Sequence, residues 1–225
     1  MSRTLLITGA TGKQGGSVIN NLLIQDADFE ILAVTRDAQS NGTQKLLKKS
    51  SKIKLVEGNL DHPEDIFRQA QKVTRQPIWG VFSVQGTDMQ WVILRPVAFL
   101  NNFTPDFFGS VFTTSWKIVL RGKPLQLISV TDIGFFGAQA FLHPDEYKYR
   151  ALSLTGDELS YDEMARIFKR VTGKDVPLTY GFLARLLMWA FKELGVMFRW
   201  FHDSGYKADV RALRKLHPGL KNFES

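Results

Sequence analysis

Residues 8 to 16 read Thr8-Gly9-Ala10-Thr11-Gly12-Lys13-Gln14-Gly15-Gly16 and follow directly on the apolar run Leu5-Leu6-Ile7. A buried strand that runs into a glycine-rich turn and then a helix is how α/β proteins hold a dinucleotide pyrophosphate. Without Cβ atoms at Gly9, Gly12 and Gly15, backbone N–H groups can approach an anion closely. The helix that follows adds unpaired N–H groups and the positive end of its dipole. The spacing is G-x-x-G-x-x-G, and the competing reading is a plain tight turn. An ATP phosphate loop is excluded in practice, because Gln14 follows Lys13 where Ser or Thr must hold magnesium.

Behind the turn, strand and helix signals alternate. Helix one is expected from about Gln14, with Val18, Ile19, Leu22 and Leu23 spaced to face a sheet. Glu30 to Arg36 reads as a second strand, Asn41-Gly42 as a turn before a helix carrying Leu46 and Leu47, and Ile53 to Glu57 as a third strand. Asp61 is the expected N-cap of a helix with Pro63 and Glu64 in its first turn and Ile66, Phe67, Ala70 and Val73 on its apolar face. Ile78 to Val84 is a fourth strand. The class is therefore α/β, a parallel sheet flanked by helices.

The alternation then breaks. Trp91 to Leu94 reads as a strand, but too few residues precede it for a parallel crossover. Either the two strands form an antiparallel hairpin around Gly86-Thr87, or a crossover is absent from the chain. The second half is mostly helical: Asp106 to Leu120, a strand at Leu125 to Val130, a helix from Thr131 through Phe141, and a short strand at Leu152 to Leu154. A capping box at Ser160 to Glu163 opens a helix stopped by Gly173, and apolar helices follow to Leu216. The expected domains are 1–104 plus about 125–142, and a smaller, mostly helical α/β part at 105–124 plus 143–225.

With 225 residues, 44% of them hydrophobic, the chain can bury a sizeable core. Its net charge of +7 suits anionic ligands. The one dense basic run, Lys45-Leu46-Leu47-Lys48-Lys49, lacks interleaved aromatics and reads as a solvated helix face, so no direct nucleic-acid contact is expected. The absence of cysteine excludes disulfides and thiolate chemistry and favours a cytoplasmic home, with the nucleus also open. A first strand at about Thr4 leaves no expected room for a signal peptide. Phe182 to Phe201 is apolar but carries Arg185, Lys192, Glu193 and Arg199, which argues against a membrane span; no membrane contact is expected. The four histidines show no metal-ligand spacing, so no metal site is expected.

The end of the second strand bears on cofactor choice. An acidic residue about 20 positions beyond the glycines would bind a ribose 2′-hydroxyl. This chain reads Val34-Thr35-Arg36-Asp37, and Arg36 can pair with a 2′-phosphate. Asp37 is one position late and is expected to point into the loop. Asn59 and Leu60 follow the third strand where an adenine would lie, and Gln85 at the end of the fourth strand would lie nearer the nicotinamide.

The stretches ITGATGKQGGSV, AVTRD, GNLDHPEDI, WGVFSV, ILRPVAFLNNF, LQLISVTDIG and SYDEMARIF together resemble the NmrA-like family of atypical short-chain dehydrogenase/reductases. The resemblance implies a Rossmann domain that binds NADP(H), with NAD(H) left open, and a smaller α/β domain lining a cleft. By position, Gly9, Ala10, Thr11, Gly12, Lys13, Gln14 and Gly15 match the family's pyrophosphate turn. Arg36 matches its 2′-phosphate contact, Asn59 and Leu60 its adenine contact, and Gln85 its strand-four contact. Pro96, Val97, Ala98 and Phe99 match the segment beside the nicotinamide. The family has two further strand–helix units near Gln85 to Gln90, so roughly 60 residues are missing here, among them the fifth strand and a lysine that contacts the nicotinamide ribose in many members.

Reduction by a short-chain reductase uses Tyr-x-x-x-Lys, where the ammonium lowers the phenol pKa. Four positions after Tyr147, Tyr149, Tyr161, Tyr180 and Tyr206 stand Ala151, Ser153, Ala165, Ala184 and Val210, so no catalytic residue is assigned. Three readings follow: an NADP(H) sensor that controls contacts with a regulatory protein partner, an NADPH-dependent reductase of a small carbonyl or quinone using another acid, and a fragment whose sheet does not close. In the first, Phe182, Leu183, Leu186, Leu187, Ala190 and Phe191 are a candidate partner surface, with packing as their competing role. A homodimer stays open as an assembly.

Overall fold

The computed structural model describes residues 3–83 and 91–225. The elements in order are β1 (Arg3–Ile7), α1 (Lys13–Ile24), β2 (Phe29–Thr35), α2 (Asn41–Leu47), β3 (Ile53–Glu57), α3 (Pro63–Val73), β4 (Ile78–Phe82), β5 (Val92–Pro96) and β6 (Ala98–Phe99). After a 3-10 turn at Leu100–Asn102 come α4 (Phe107–Leu120), β7 (Leu125–Ile128), α5 (Val130–Leu142), α6 (Pro144–Tyr147), β8 (Arg150–Leu154) and β9 (Asp157–Leu159). Four helices close the chain: α7 (Tyr161–Thr172), α8 (Gly181–Ala190), α9 (Lys192–Asp203) and α10 (Val210–Leu216).

Two compact units divide these elements, one of residues 1–93 and 133–151, the other of residues 94–132 and 152–225. The first holds a parallel sheet in the order β3-β2-β1-β4. Strand periodicity sorts its side chains onto two faces. Leu5, Ile7, Ile31 and Ala33 pack with Val18, Ile19 and Leu22 of α1 and Ala138 of α5. Leu6, Leu32, Val34 and Val56 pack with Ile66 and Ala70 of α3. Helices therefore cover both faces, as the α/β reading expects. α5 lies close because Gly134 has no side chain: a Cβ there would meet the Ser17 side chain and backbone of α1 at 2.1–2.6 Å.

The second unit is built on α4. Trp116 and Leu120 are fully buried and pack with Leu125 and Leu127 of β7, Met164 of α7 and Phe198 of α9. β7 runs parallel to β6 and antiparallel to β9. These pairings join Ala98–Phe99, Leu125–Ile128 and Asp157–Leu159 within the second unit. α7 has the complete capping box: the Ser160 side chain accepts from Glu163 N, and the Glu163 carboxylate accepts from Ser160 N at 2.8 Å.

Several sequence expectations shift. Asn41-Gly42 is the first turn of α2, capped by Ser40, and not a separate turn. The cap position of α3 is His62, without a side-chain bond, because Asp61 is held by Asn59 Nδ2 at 2.6 Å. β5 pairs with β8 and not with β4, so the hairpin expectation fails; its turn at Gly86-Thr87 lies outside the described residues.

The chain end is tied down by buried Asp132, whose carboxylate accepts from Lys221 N at 3.1 Å and lies 3.3 Å from His217 Nε2. Burial pushes this carboxyl above its ordinary value, against the lowering by the Lys221 N–H and by His217. The folded state thus holds this proton more tightly than the unfolded chain. Its contribution to stability is greatest below the ordinary carboxylate range and is lost as pH rises through the raised value. Asp132→Asn keeps an acceptor for Lys221 without titrating. Urea denaturation is expected to show the parent gaining stability relative to Asp132→Asn as pH falls across that range; a pH-independent difference would remove the assigned shift.

Candidate dinucleotide-binding site

The β1–α1 turn is defined by backbone contacts that side chains would block. Thr8 locks the end of β1 to the end of β4, donating from N and from Oγ1 to Phe82 O at 2.9 and 3.0 Å. Gly9 then takes φ +59, the left-handed region that glycine enters without strain. Gly12 N donates to Gly9 O at 2.8 Å and closes the turn. A Cβ on Gly15 would sit 2.5 Å from Gly9 O and 2.6 Å from Thr8 O, so only glycine lets α1 start this close to the turn. At Gly12 the same test gives 3.1 Å to Gly9 O.

The start of α1 is left open to a ligand. Gly12 is its N-cap, no side chain caps it, and its first turn holds no acidic residue. α4 and α7, in contrast, are capped by Asp106 and Ser160. The first N–H groups of α1 and its positive dipole end are therefore uncompensated by protein groups, which fits a pyrophosphate. Thr11, Gly12 and Lys13 are exposed around it, while Ala10 and Gly15 are buried and Gln14 is intermediate.

Arg36 is presented by a buried hydroxyl network. Thr35 Oγ1 and Thr43 Oγ1 are 3.0 Å apart, Thr43 Oγ1 donates to Asp37 O at 3.0 Å, and Ser40 Oγ donates to Thr43 Oγ1 at 2.8 Å. Asp37 is turned into the loop, where Oδ1 accepts from Gln39 N at 2.8 Å. Arg36 stays exposed, with no ion pair among the described residues. A Cβ on Gly42 would lie 3.9 Å from Thr11, so the start of α2 adjoins the glycine turn. Sequence reasoning missed Thr35 and Thr43; the signal was the capping spacing from Ser40 to Thr43 behind a strand ending in Thr35.

The remaining assignments divide. Asn59 is exposed after β3, with its amide engaged by Asp61, and Leu60 packs partly into the core under α3. The glycine turn, Arg36, Asn59 and Leu60 all belong to the first unit. Pro96, Val97, Ala98 and Phe99 belong to the second: Pro96 ends β5, Val97 N donates to Leu154 O at 3.2 Å, and Ala98 and Phe99 form β6. Gln85 lies outside the described residues. Burial raises the phenol pKa of Tyr147, Tyr161 and Tyr206, the reverse of what a reductase acid requires. No metal-binding group of His, Asp and Glu occurs among the described residues.

A model of the NmrA-like family matches residues 1–94 and 91–224. The chain belongs to the NmrA-like family. The join between the two matched stretches falls where strand and helix cease to alternate. A curated relative from Aspergillus flavus, the NmrA-like family domain-containing oxidoreductase lnaB, is 50% identical over 44 residues. That stretch is 20% of this chain and only 13% of the relative's length. Among solved structures, NmrA, a negative transcriptional regulator in complex with NAD, is similar at TM-score 0.65 and 13% identity, over 100% of this chain and 94% of that one. Triphenylmethane reductase of Citrobacter sp. complexed with NADP(H) is similar at TM-score 0.70 and 14% identity, over 98% and 97% of the two chains. Identities this low show a shared Rossmann-type fold for this family member.

Gly15→Ala forces a methyl group into two backbone carbonyls that have no side-chain freedom to yield. The substitution is expected to cost about 2–3 kcal/mol or more in urea denaturation. Gly16→Ala, whose Cβ would meet Ala10 O at 3.1 Å, is expected to cost clearly less. Equal losses at the two positions would show that the close approach at Gly15 is not what sets the turn.

Proposed function

We propose that this family member binds NADP(H) at the β1–α1 turn and acts as a cofactor sensor, whose occupancy or redox state controls contacts with a protein partner. The observation that carries the binding reading is the glycine cradle at Gly9, Gly12 and Gly15 beside an uncapped α1. Arg36 supports the NADP preference: it is an exposed guanidinium with no ion pair among the described residues, and the Asp37 carboxylate beside it is engaged by Gln39 N. Ala10 to Gln14 would face the pyrophosphate, and Asn59 and Leu60 the adenine. Gln85 and Pro96 to Phe99 would serve the nicotinamide end. The sensor reading rests on the lack of a Tyr-x-x-x-Lys pair in the sequence.

A second reading, an NADPH-dependent oxidoreductase of a small carbonyl or quinone, is favoured by what similar proteins are named for: an oxidoreductase in Aspergillus flavus and a triphenylmethane reductase in Citrobacter. When bound, the reduced cofactor would supply a hydride; this chain's residues would hold and orient it.

Calorimetric titration is expected to show tighter binding of NADP(H) than of NAD(H). Arg36→Ala should weaken the 2′-phosphorylated form by about tenfold or more and leave NAD(H) nearly unchanged; equal losses would defeat the assignment. Following the absorbance of bound NADPH with a panel of carbonyls and quinones should show no turnover. Turnover with any of them replaces the sensor reading with the reductase reading, and absence of nucleotide binding removes both.

A further inference from the structure

The second unit holds a cavity of about 310 Å³ between the approach to α4 and the end of α7. That volume is at the lower end for small-molecule sites. Phe103 and Pro105 line it from the approach to α4, and Phe168, Val176 and Pro177 from α7 and the segment behind it. These walls are fixed by contacts of their own. The Phe103 ring meets Phe112, Trp116 and Phe223 edge to face, with centroids 5.6, 5.8 and 5.0 Å apart. Thr113 Oγ1 donates to Pro177 O at 2.7 Å and Thr179 N donates to Thr114 Oγ1 at 2.9 Å, so the segment after α7 is fastened to α4. Gly109 lets the approach close on α4, because a Cβ there would run into Thr104 O. The cavity is therefore preformed, and a ligand has little left to order.

The lining also says what would fill it. Phenylalanine and proline rings suit a flat, apolar group. The hydroxyls among them are already committed: Thr104 Oγ1 donates to Asp106 Oδ1 at 2.8 Å and Thr172 Oγ1 to Phe168 O at 2.7 Å, while Thr113 holds Pro177. Lys174 is different. It is the one charged residue among the described residues that line the cavity, it is exposed, and it forms no ion pair among them. The carboxylates nearest in sequence and packing are engaged elsewhere. Asp175 pairs with Lys169 Nζ at 2.9 Å, Glu224 with Arg170 at 2.9 Å, and Asp106 caps α4 by accepting from Gly109 N at 2.9 Å. The Lys169 carbonyl at the end of α7 accepts from Gly173 N at 2.9 Å. We propose that this cavity binds a small aromatic carboxylate, with its ring among the phenylalanine and proline side chains and its carboxylate on Lys174. The site is independent of the dinucleotide reading, since none of its lining residues is assigned to the dinucleotide.

The test is saturation-transfer NMR and calorimetric titration of the full chain with benzoate, and with benzamide as its uncharged counterpart. Benzoate is expected to bind, and benzamide to bind about fivefold more weakly. Lys174→Gln is expected to weaken benzoate by about fivefold and leave benzamide unchanged. Phe168→Ala is expected to weaken both by about tenfold. Lys174 is exposed and its substitution leaves the core intact, so that variant carries the test alone if Phe168→Ala does not fold. Saturating NADPH is expected to leave benzoate binding unchanged. The proposal is overturned by any of four results: no benzoate binding, equal binding of benzamide, benzoate binding unchanged in Lys174→Gln or in folded Phe168→Ala, or displacement of benzoate by NADPH.

Discussion

The contact between α1 and the backbone of the β1–α1 turn governs the first unit. Gly15 admits Gly9 O and Thr8 O into the space a side chain would occupy, and this sets where α1 begins. The position of α1 fixes which residues, Val18, Ile19 and Leu22, reach the sheet. It also fixes the seat of α5, whose Gly134 meets Ser17, two residues after Gly15. The same contact leaves the N-terminus of α1 facing outward without a cap. Close packing and an uncapped helix start therefore have one cause, the absence of side chains at a strand-to-helix junction.

The end of the second strand is held differently. Arg36 is exposed and forms no ion pair among the described residues. The loop that carries it is tied by hydroxyls: Thr35, Ser40 and Thr43 bond one another and the Asp37 carbonyl. Hydroxyl pairs of this kind hold a loop without adding charge. The guanidinium is then left without a carboxylate partner among the described residues. A carboxylate doing the same work would have neutralised it.

What was legible in the sequence followed from local rules. Helical spacing placed Val18, Ile19 and Leu22 toward the sheet, and the capping box at Ser160 to Glu163 marked the start of α7 where the structure has it. Errors arose where one residue had two uses. Asp61 has the right chemistry and position for a cap, but Asn59 two residues earlier competes for it and wins at 2.6 Å. Asn41-Gly42 has turn composition, but Ser40 caps it into a helix. Long-range pairing is not carried by any local pattern. β7 reads as a sixth strand of an α/β sheet, yet its hydrogen bonds go to β6 and β9. The hydroxyl network behind Arg36 was hidden for the same reason, since buried threonines resemble ordinary strand residues.

The break after β4 separates two kinds of work. Everything assigned to the phosphates, the 2′-position and the adenine comes from β1, α1, β2 and the segment after β3, whose sheet pairing runs through β1 to β4 with a single irregularity at Thr4/Leu5. Of the residues assigned to the nicotinamide end, Gln85 lies just before residues 91–94, where the two family matches join, and Pro96 to Phe99 lie just beyond them. In doubly wound folds the two halves of a dinucleotide are held by successive half-sheets, and each can grip its half separately. The residues proposed for the phosphates, the 2′-position and the adenine thus share one parallel sheet, β3-β2-β1-β4, while those proposed for the nicotinamide end follow β4, where reacting groups would have to be placed within fractions of an ångström.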